Sequence, residues 1–340
     1  MQWVVKSISL LVLCLGVCAA RAADLEYGRY AVGFRTVPLA ARVGVPAGEI
    51  QLWYPATPAN CPSPLTYADY LRADARQPGQ DVAAELRQAW SFAAPPLDDA
   101  QWARVTGAPM RACREATAAV IAAPLIVALH LPGAWPVAAE FFASHGYAFA
   151  AVSRPATPPA GADLVDRIAQ RQREFVRDLR DAIAQIRASN EKEIDASRVG
   201  AIGQSHALVM LAMTEPSVRA VALQDSAFAT GRDADVDART GLWEPALFRA
   251  ALLHATTEDR LSADTAWEGF VRGAPGQVTR QVFAPAHVGH NDVTADGYLT
   301  RRFAPIVTPP HDAIVRALEA LLAAQKTSFD RALREQPPSP

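Results

Sequence analysis

Ser205 is the residue of this chain whose surroundings most resemble those of a nucleophile. It sits in the segment Gly203–Ala207, between the apolar run Val199–Gly203 and the apolar run Leu208–Met213. A buried strand that turns sharply into a helix exposes a serine hydroxyl at its apex, on strained backbone. The residues two before and two after the serine must then be small, as Gly203 and Ala207 are. The pattern predicts a helix starting at Ser205, with its amides and dipole aimed at developing negative charge. The alternative is a serine that caps an ordinary helix.

A serine nucleophile needs a base, and the base needs a carboxylate to orient it. The next apolar run, Ala220–Leu223, leads to Asp225, which therefore follows the neighbouring predicted strand. In strand–helix proteins with a Ser, Asp, His chain order, this is the position of the acid. Asp225 could also serve only as a turn former.

Five histidines lie at or after the predicted turn. His206 adjoins Ser205 and is expected to contribute its backbone amide rather than its ring. His254 and His311 are assigned to a strand end and to the start of the last helix, where structural roles are expected. His290, in the loop after the last predicted strand, is the preferred base, and His287 in the same loop is the alternative.

Two backbone N–H groups must stabilise the oxyanion of an acyl-transfer reaction. One is predicted from His206, the residue after the nucleophile. The other is expected from the loop after the strand Leu125–Leu129, where Pro132 lacks a donor and Gly133 permits a turn, which leaves Ala134. Trp135 either lines a pocket or packs in the core.

The elements that must position these groups alternate between strand and helix, which predicts an α/β fold. We expect a doubly wound, mostly parallel sheet flanked by helices, with an antiparallel pair at its N-terminal edge. The predicted strands are Tyr30–Val37, Glu49–Tyr54, Leu125–Leu129, Tyr147–Val152, Val199–Gly203, Ala220–Leu223, Ala251–Leu253 and Arg280–Phe283. The predicted helices include Val137–Ala143, the face Phe175, Leu179, Ile183 and Ile186, and Asp312–Ala324.

One region interrupts this alternation. Residues 56–118 are rich in Ala, Pro and charge, and contain the short helical stretch Asp81–Trp90. They form either a cap over the active-site face or a surface excursion without catalytic consequence. Residues 23–330 are predicted to form a single domain, and residues 331–340 a disordered tail.

The first 22 residues have the features of a secretory signal peptide: Lys6, the apolar run Ile8–Val17 and small residues up to a cleavage site near Ala22. Export leaves Cys61 and Cys113, and an oxidising compartment favours a disulfide between them. The mature chain is expected to have no membrane span. With 33 Lys and Arg against 35 Asp and Glu, the charge is nearly balanced, which argues against a nucleic-acid partner.

The chain resembles the dienelactone-hydrolase and platelet-activating-factor acetylhydrolase-like branch of the α/β hydrolases. The resemblance covers roughly residues 27 to 325. It is carried by the segments Glu49–Pro55, Pro124–Gly133 and Ala143–Tyr147 and by the Ser205 turn with Asp225. The sequence departs from the family pattern at Ala207 and Leu208, where glycines are usual. The resemblance implies hydrolysis of a carboxylic ester or lactone without a cofactor.

The sequence therefore predicts a serine hydrolase that acts on a small ester-like substrate through an acyl-enzyme, with Ser205, Asp225 and His290 as the triad. The alternatives are a peptidase on the same scaffold and a non-catalytic binding protein of this fold. A metal site built from His287, His290 and Asp292 lacks a supporting ligand pattern, so no metal is expected. The oligomeric state stays open.

Overall fold

A computed structural model describes residues 25–58, 61, 64–74, 81–90, 97–119, 122–155, 163–189, 192–224, 234–257, 265–283, 294–303 and 311–335. The predicted signal peptide and the site candidates Asp225, His287 and His290 lie outside these ranges. Within them, no helix is both long enough and apolar enough to cross a bilayer.

Nine strands of the described chain form one sheet in the order β3-β1-β2-β5-β4-β6-β7-β8-β9. They are β1 Ala31–Leu39, β2 Gly48–Ala56, β3 Ala112–Arg114, β4 Ala123–Leu129, β5 Ala148–Ser153, β6 Ile194–Gly203, β7 Val218–Gln224, β8 Ala251–Thr257 and β9 Val278–Phe283. From β5 to β9 all neighbouring strands run parallel. The doubly wound, mostly parallel sheet expected from the alternating pattern is thereby confirmed.

Helices pack on both faces of this sheet. They are α1 Tyr67–Ala73, α2 Val82–Trp90, α3 Asp99–Thr106, α4 Pro136–Ser144, α5 Leu164–Ala188, α6 Ala207–Thr214, α7 Ala234–Thr240, α8 Thr265–Gly273, α9 Ala295–Phe303 and α10 His311–Asp330. A 3₁₀ turn, Pro245–Leu247, precedes β8. The π-helical turn Arg331–Glu335 extends α10, so these five residues are helical rather than part of a disordered tail.

Strand β4 shows why the sheet is covered on both sides. Its side chains alternate between two cores: Leu125 and Val127 pack with the α5 and α6 face, whereas Ile126 and Ala128 pack with the α4 and α10 face. A strand with both faces buried must be apolar throughout. The uniformly apolar run Leu125–Leu129 predicts such a strand, and the structure contains it.

The antiparallel pair β1–β2 forms as expected, but it is not the sheet edge. Strand β3, which comes from residues 56–118, pairs in parallel with β1 and takes the outer position. Cys113 in β3 is bonded to Cys61, with 5.6 Å between their Cα atoms, which confirms the expected disulfide. The insertion therefore contributes a strand to the sheet and is not only a surface excursion.

Candidate active site

Ser205 follows the central strand β6 at its carboxyl end. Strand β6 lies between β4 and β7, and α6 begins two residues after Ser205, at Ala207, with His206 as its N-cap residue. The predicted strand, serine and helix sequence is present, although the helix starts later than Ser205. Ser205 is half-buried. The arrangement places a hydroxyl at the edge where parallel α/β sheets bind their ligands.

The sharp turn before Ser205 is made by glycine. Gly203 has φ +151°, a conformation available essentially to glycine alone. Among the described residues, the non-glycine positions with positive φ are Glu115 and Ala122, so the strain expected at Ser205 itself is not found. A Cβ atom at Gly203 would lie 3.2 Å from Cδ1 of Leu208. This close strand–helix contact confirms the requirement for a small residue there.

The hydroxyl of Ser205 is held by a side chain that sequence reasoning missed. Ser205 Oγ donates to Oε1 of Gln172, in α5, at 2.8 Å, and the same oxygen accepts the Ala207 N–H at 3.0 Å. The Ala207 N–H also lies 3.2 Å from Ser205 Oγ, so the serine takes part in capping α6 as well. No spacing in the sequence links Gln172 to Ser205, because they are 33 residues apart.

His206 is buried, and its ring lies beside α7. Its Nδ1 lies 3.5 Å from Oδ1 of Asp237 in α7. This contact agrees with the expectation that the His206 ring has a structural role. The backbone amide of His206 belongs to the first residues of α6, where N–H groups point toward the helix N-terminus.

The loop after β4 lies beside the turn at Ser205. Trp135 packs in the core, 4% exposed, and its indole N–H donates to Leu129 O at 2.6 Å. Its ring would be 3.7 Å from a Cβ at Gly203. The Ala134 N–H donates to Leu131 O at 3.0 Å, which closes a turn, so the expected oxyanion donor is engaged within its own loop here.

Residues of the insertion hold this loop in place. Oδ2 of Asp74, the residue after α1, accepts the Gly133 N–H at 2.6 Å, and Oδ1 lies 2.6 Å from Nε2 of His130. Both side chains of the Asp74–His130 pair are 3% exposed. Tyr67 donates its hydroxyl to Gly133 O at 2.9 Å. The insertion therefore reaches the proposed site, and nothing in its sequence marks Tyr67 or Asp74 for that role.

Described residues lie close in sequence to the two other proposed triad members. Strand β7 ends at Gln224, one residue before Asp225, and pairs with β6 so that Leu223 lies opposite Gly203. On the other side, the Ala295 N–H donates to Ala134 O at 2.8 Å, five residues after His290. The chain that follows the histidine loop is therefore tied to the loop after β4.

The two other late histidines belong to regular elements of the fold. His254 is inside β8 rather than at its end, is 2% exposed, and its Nδ1 accepts from Nε of Arg280 at 3.3 Å. His311 is the first residue of α10. Within the described ranges, no group of three or more His, Cys, Asp or Glu side chains could hold a metal ion.

Comparison with known proteins identifies the fold of this chain. No family model and no curated protein matches the chain. The solved structure of a ferulic acid esterase from Streptomyces cinnamoneus has a TM-score of 0.63 at 20% sequence identity and covers 93% of this chain and 94% of its own. The AtxE2 isopeptidase has a TM-score of 0.51 at 11% identity, covering 91% of this chain but 42% of its own. The chain has the α/β-hydrolase fold.

In this α/β-hydrolase sheet the outer strand next to β1 is β3, which the insertion contributes. A dienelactone hydrolase from Anabaena variabilis is more distant in structure, with a TM-score of 0.45 at 13% identity over 90% of this chain. At 20% identity the likeness to the ferulic acid esterase establishes the fold and not the substrate, because one fold hosts many chemistries.

Proposed function

We propose that this protein is an exported serine hydrolase that cleaves a carboxylic ester or lactone through an acyl-enzyme. The observation that carries the proposal is the place of Ser205: after the central strand, behind a glycine at φ +151°, and at the start of a buried helix. Sharp turns of this kind present the nucleophile in α/β hydrolases.

In the proposed reaction, His290 takes the Ser205 proton as the oxygen attacks the carbonyl carbon, and Asp225 orients the imidazolium. His290 then protonates the leaving alkoxide, and a water molecule repeats the sequence to release the acid. Two supports come from the described chain: β7 ends one residue before Asp225, and Ala295 is bonded to the loop after β4. His287 is the alternative base.

The amides of His206 and Ala134 are the proposed oxyanion donors. In this structure the Ala134 N–H donates to Leu131 O, so it must exchange that carbonyl for the substrate oxygen during the reaction. The proposal needs no metal or organic cofactor, since a triad supplies both the nucleophile and the proton transfer.

Export is part of the proposal. The Cys61–Cys113 disulfide fits an oxidising compartment, in which such bonds persist. The fold shared with a ferulic acid esterase supports including phenolic esters among the first substrates tested.

One observation favours a second candidate, a non-catalytic binding protein of the same fold. The hydroxyl of Ser205 is bonded to Gln172 and approached by the Ala207 N–H, as in a helix-capping serine. Labelling with a fluorophosphonate separates the two candidates, because only an activated serine reacts.

The decisive test uses p-nitrophenyl esters from acetate to long-chain acids together with Ser205→Ala. We expect Ser205→Ala to lower kcat by about 10⁴-fold or more and to abolish labelling. The matched control is Ser197→Ala, an exposed serine toward the amino end of the same strand, which should leave both unchanged. A wild-type protein that neither labels nor hydrolyses any ester would favour the binding protein instead.

A further inference from the structure

The peptide between Gly133 and Ala134 is held by a residue of the insertion. Its carbonyl oxygen, Gly133 O, accepts the hydroxyl of Tyr67 at 2.9 Å. Its N–H is that of Ala134, the proposed oxyanion donor. Tyr67 is fully buried, so water does not compete for this bond.

A peptide group is planar and trans, so its C=O and N–H point in opposite directions. Whatever fixes the carbonyl also fixes the direction of the N–H. Hydrogen bonds along one chain also polarise each other, which strengthens the donor at the far end. The Tyr67 hydroxyl therefore fixes the direction and raises the donor strength of the Ala134 N–H, which in this structure donates to Leu131 O and in the proposed reaction exchanges that acceptor for the substrate oxygen.

The preceding peptide is held as well. Asp74 accepts the Gly133 N–H at 2.6 Å and binds Nε2 of His130 with its other oxygen, also at 2.6 Å. Both Tyr67 and Asp74 belong to the α1 segment of the insertion, although the loop lies 59 to 66 residues away in sequence. The two peptide groups on either side of Gly133 are thus both hydrogen-bonded to the α1 segment.

The contact leaves little space for a side chain at position 133. Gly133 has φ +68°, and a Cβ there would lie 2.4 Å from the Tyr67 hydroxyl oxygen and 2.7 Å from Cδ1 of Leu86. The loop therefore has no room to tilt toward α1 or α2, and the Tyr67 bond acts on a backbone that is already confined.

We propose that Tyr67 is a positioning residue for the oxyanion donor, and that the insertion is thereby a working part of the catalytic site. The inference rests on the proposed function for its kinetic consequence. Tyr67 touches neither substrate nor Ser205 in this role; it acts only through the Gly133–Ala134 peptide. Loss of its hydroxyl should weaken transition-state binding more than substrate binding.

The chain offers a matched pair for the test. Tyr67 and Tyr70 are both fully buried on α1, but the Tyr70 hydroxyl donates to Glu140 instead of the loop. Each Tyr→Phe change deletes one buried hydroxyl. Because the Tyr70 hydroxyl also accepts the Trp53 indole N–H at 3.1 Å, the purely structural effect of Tyr70→Phe should be at least as large as that of Tyr67→Phe. We expect Tyr67→Phe to lower kcat about tenfold with KM nearly unchanged, and Tyr70→Phe to leave kcat within about twofold, since complete loss of an oxyanion donor costs about 10²–10³-fold.

A second readout does not depend on hydrolysis. In ¹H–¹⁵N spectra, the Ala134 amide should shift strongly in Tyr67→Phe and remain near its wild-type position in Tyr70→Phe. If kcat and the Ala134 resonance respond alike in the two variants, the inference is overturned. If the wild-type protein hydrolyses no ester, the proposed function fails, whereas the amide shift still decides whether Tyr67 sets the direction of this peptide.

Discussion

The two loops that flank the proposed site are built differently. The turn at Ser205 is shaped mainly by neighbours in sequence: Gly203 makes the bend and Leu208 packs against it from the next helix. The loop after β4 is held from outside, by Tyr67 and Asp74 on one side and by Ala295 on the other. One half of the site is local and the other depends on the insertion.

This difference explains what the insertion contributes. It is anchored to the domain by the pairing of β3 with β1 and by the buried carboxylate of Glu140 in α4, and the Cys61–Cys113 bond cross-links it internally. Glu140 Oε1 accepts from the Tyr70 hydroxyl and from the Ala112 N–H, each at 2.9 Å. A region anchored this firmly can support a catalytic loop, as a freely moving cap could not.

The largest stability effect that tests this comparison is expected from Gly133→Ala. The new Cβ would overlap Tyr67 and Leu86, in a residue at φ +68°. Strained backbone and overpacking together should lower the free energy of unfolding by about 3 kcal/mol in urea denaturation.

The matched control for that change is Gly44→Ala. Gly44 has a similar φ, +72°, but nothing lies within 4 Å of its added Cβ, so only the backbone cost of about 1 kcal/mol should remain. If both variants lose the same free energy of unfolding, the α1 segment does not crowd the loop after β4.

The stability that Glu140 contributes by anchoring the insertion should depend on pH. Burial raises the pKa of Glu140 to about 7, and this outweighs the opposing hydrogen bonds from Arg111, Ala112 and Tyr70. Its pKa in the folded state is thus above the unfolded value near 4.5, so its contribution is fully present below pH 4.5 and declines as pH rises to 7. The linkage amounts to about 3 kcal/mol across this window.

Urea denaturation at a series of pH values measures this effect. In Glu140→Gln the decline between pH 4.5 and 7 should disappear, whereas Glu335→Gln, at an exposed position, should keep it. A pH dependence between pH 4.5 and 7 that is the same in the wild-type protein and in Glu140→Gln would contradict the assignment to Glu140.

The smallest effect is expected at the local half of the site. Gln172 must release the Ser205 hydroxyl before a base can take its proton. A hydrogen bond of about 1 kcal/mol corresponds to a factor of about five, so Gln172→Ala should speed fluorophosphonate labelling by up to about fivefold.

Gln170→Ala is the control, because the Gln170 amide donates to Glu174 on the same helix and not to the site. Slower labelling of Gln172→Ala than of this control would mean that Gln172 positions the serine for attack instead of restraining it. Either result shows whether the reactivity of Ser205 depends on Gln172 or only on the neighbours of Ser205 in sequence.

Much of the fold could be predicted because its signals are periodic or adjacent in the chain. An apolar run such as Leu125–Leu129 predicts a strand buried on both faces, and the spacing of Leu179, Ile183 and Ile186 predicts one face of α5. The need for a small residue at position 203 followed from the same kind of local geometry.

Long-range contacts leave no such trace. Glycine at 203 takes the unusual backbone that was expected at Ser205, and the bond from Ser205 to Gln172 has no sequence signature. The outer strand β3 was missed because three residues are too few to show a period.

The sequence alone predicted the layered α/β architecture and the candidate serine, since each depends on residue types in a local pattern, and it favoured a disulfide between Cys61 and Cys113. Only the tertiary structure shows that Tyr67 and Asp74 form hydrogen bonds with the loop after β4. The physical reason is that a buried hydrogen bond requires the donor and acceptor to meet in space, whatever length of chain separates them.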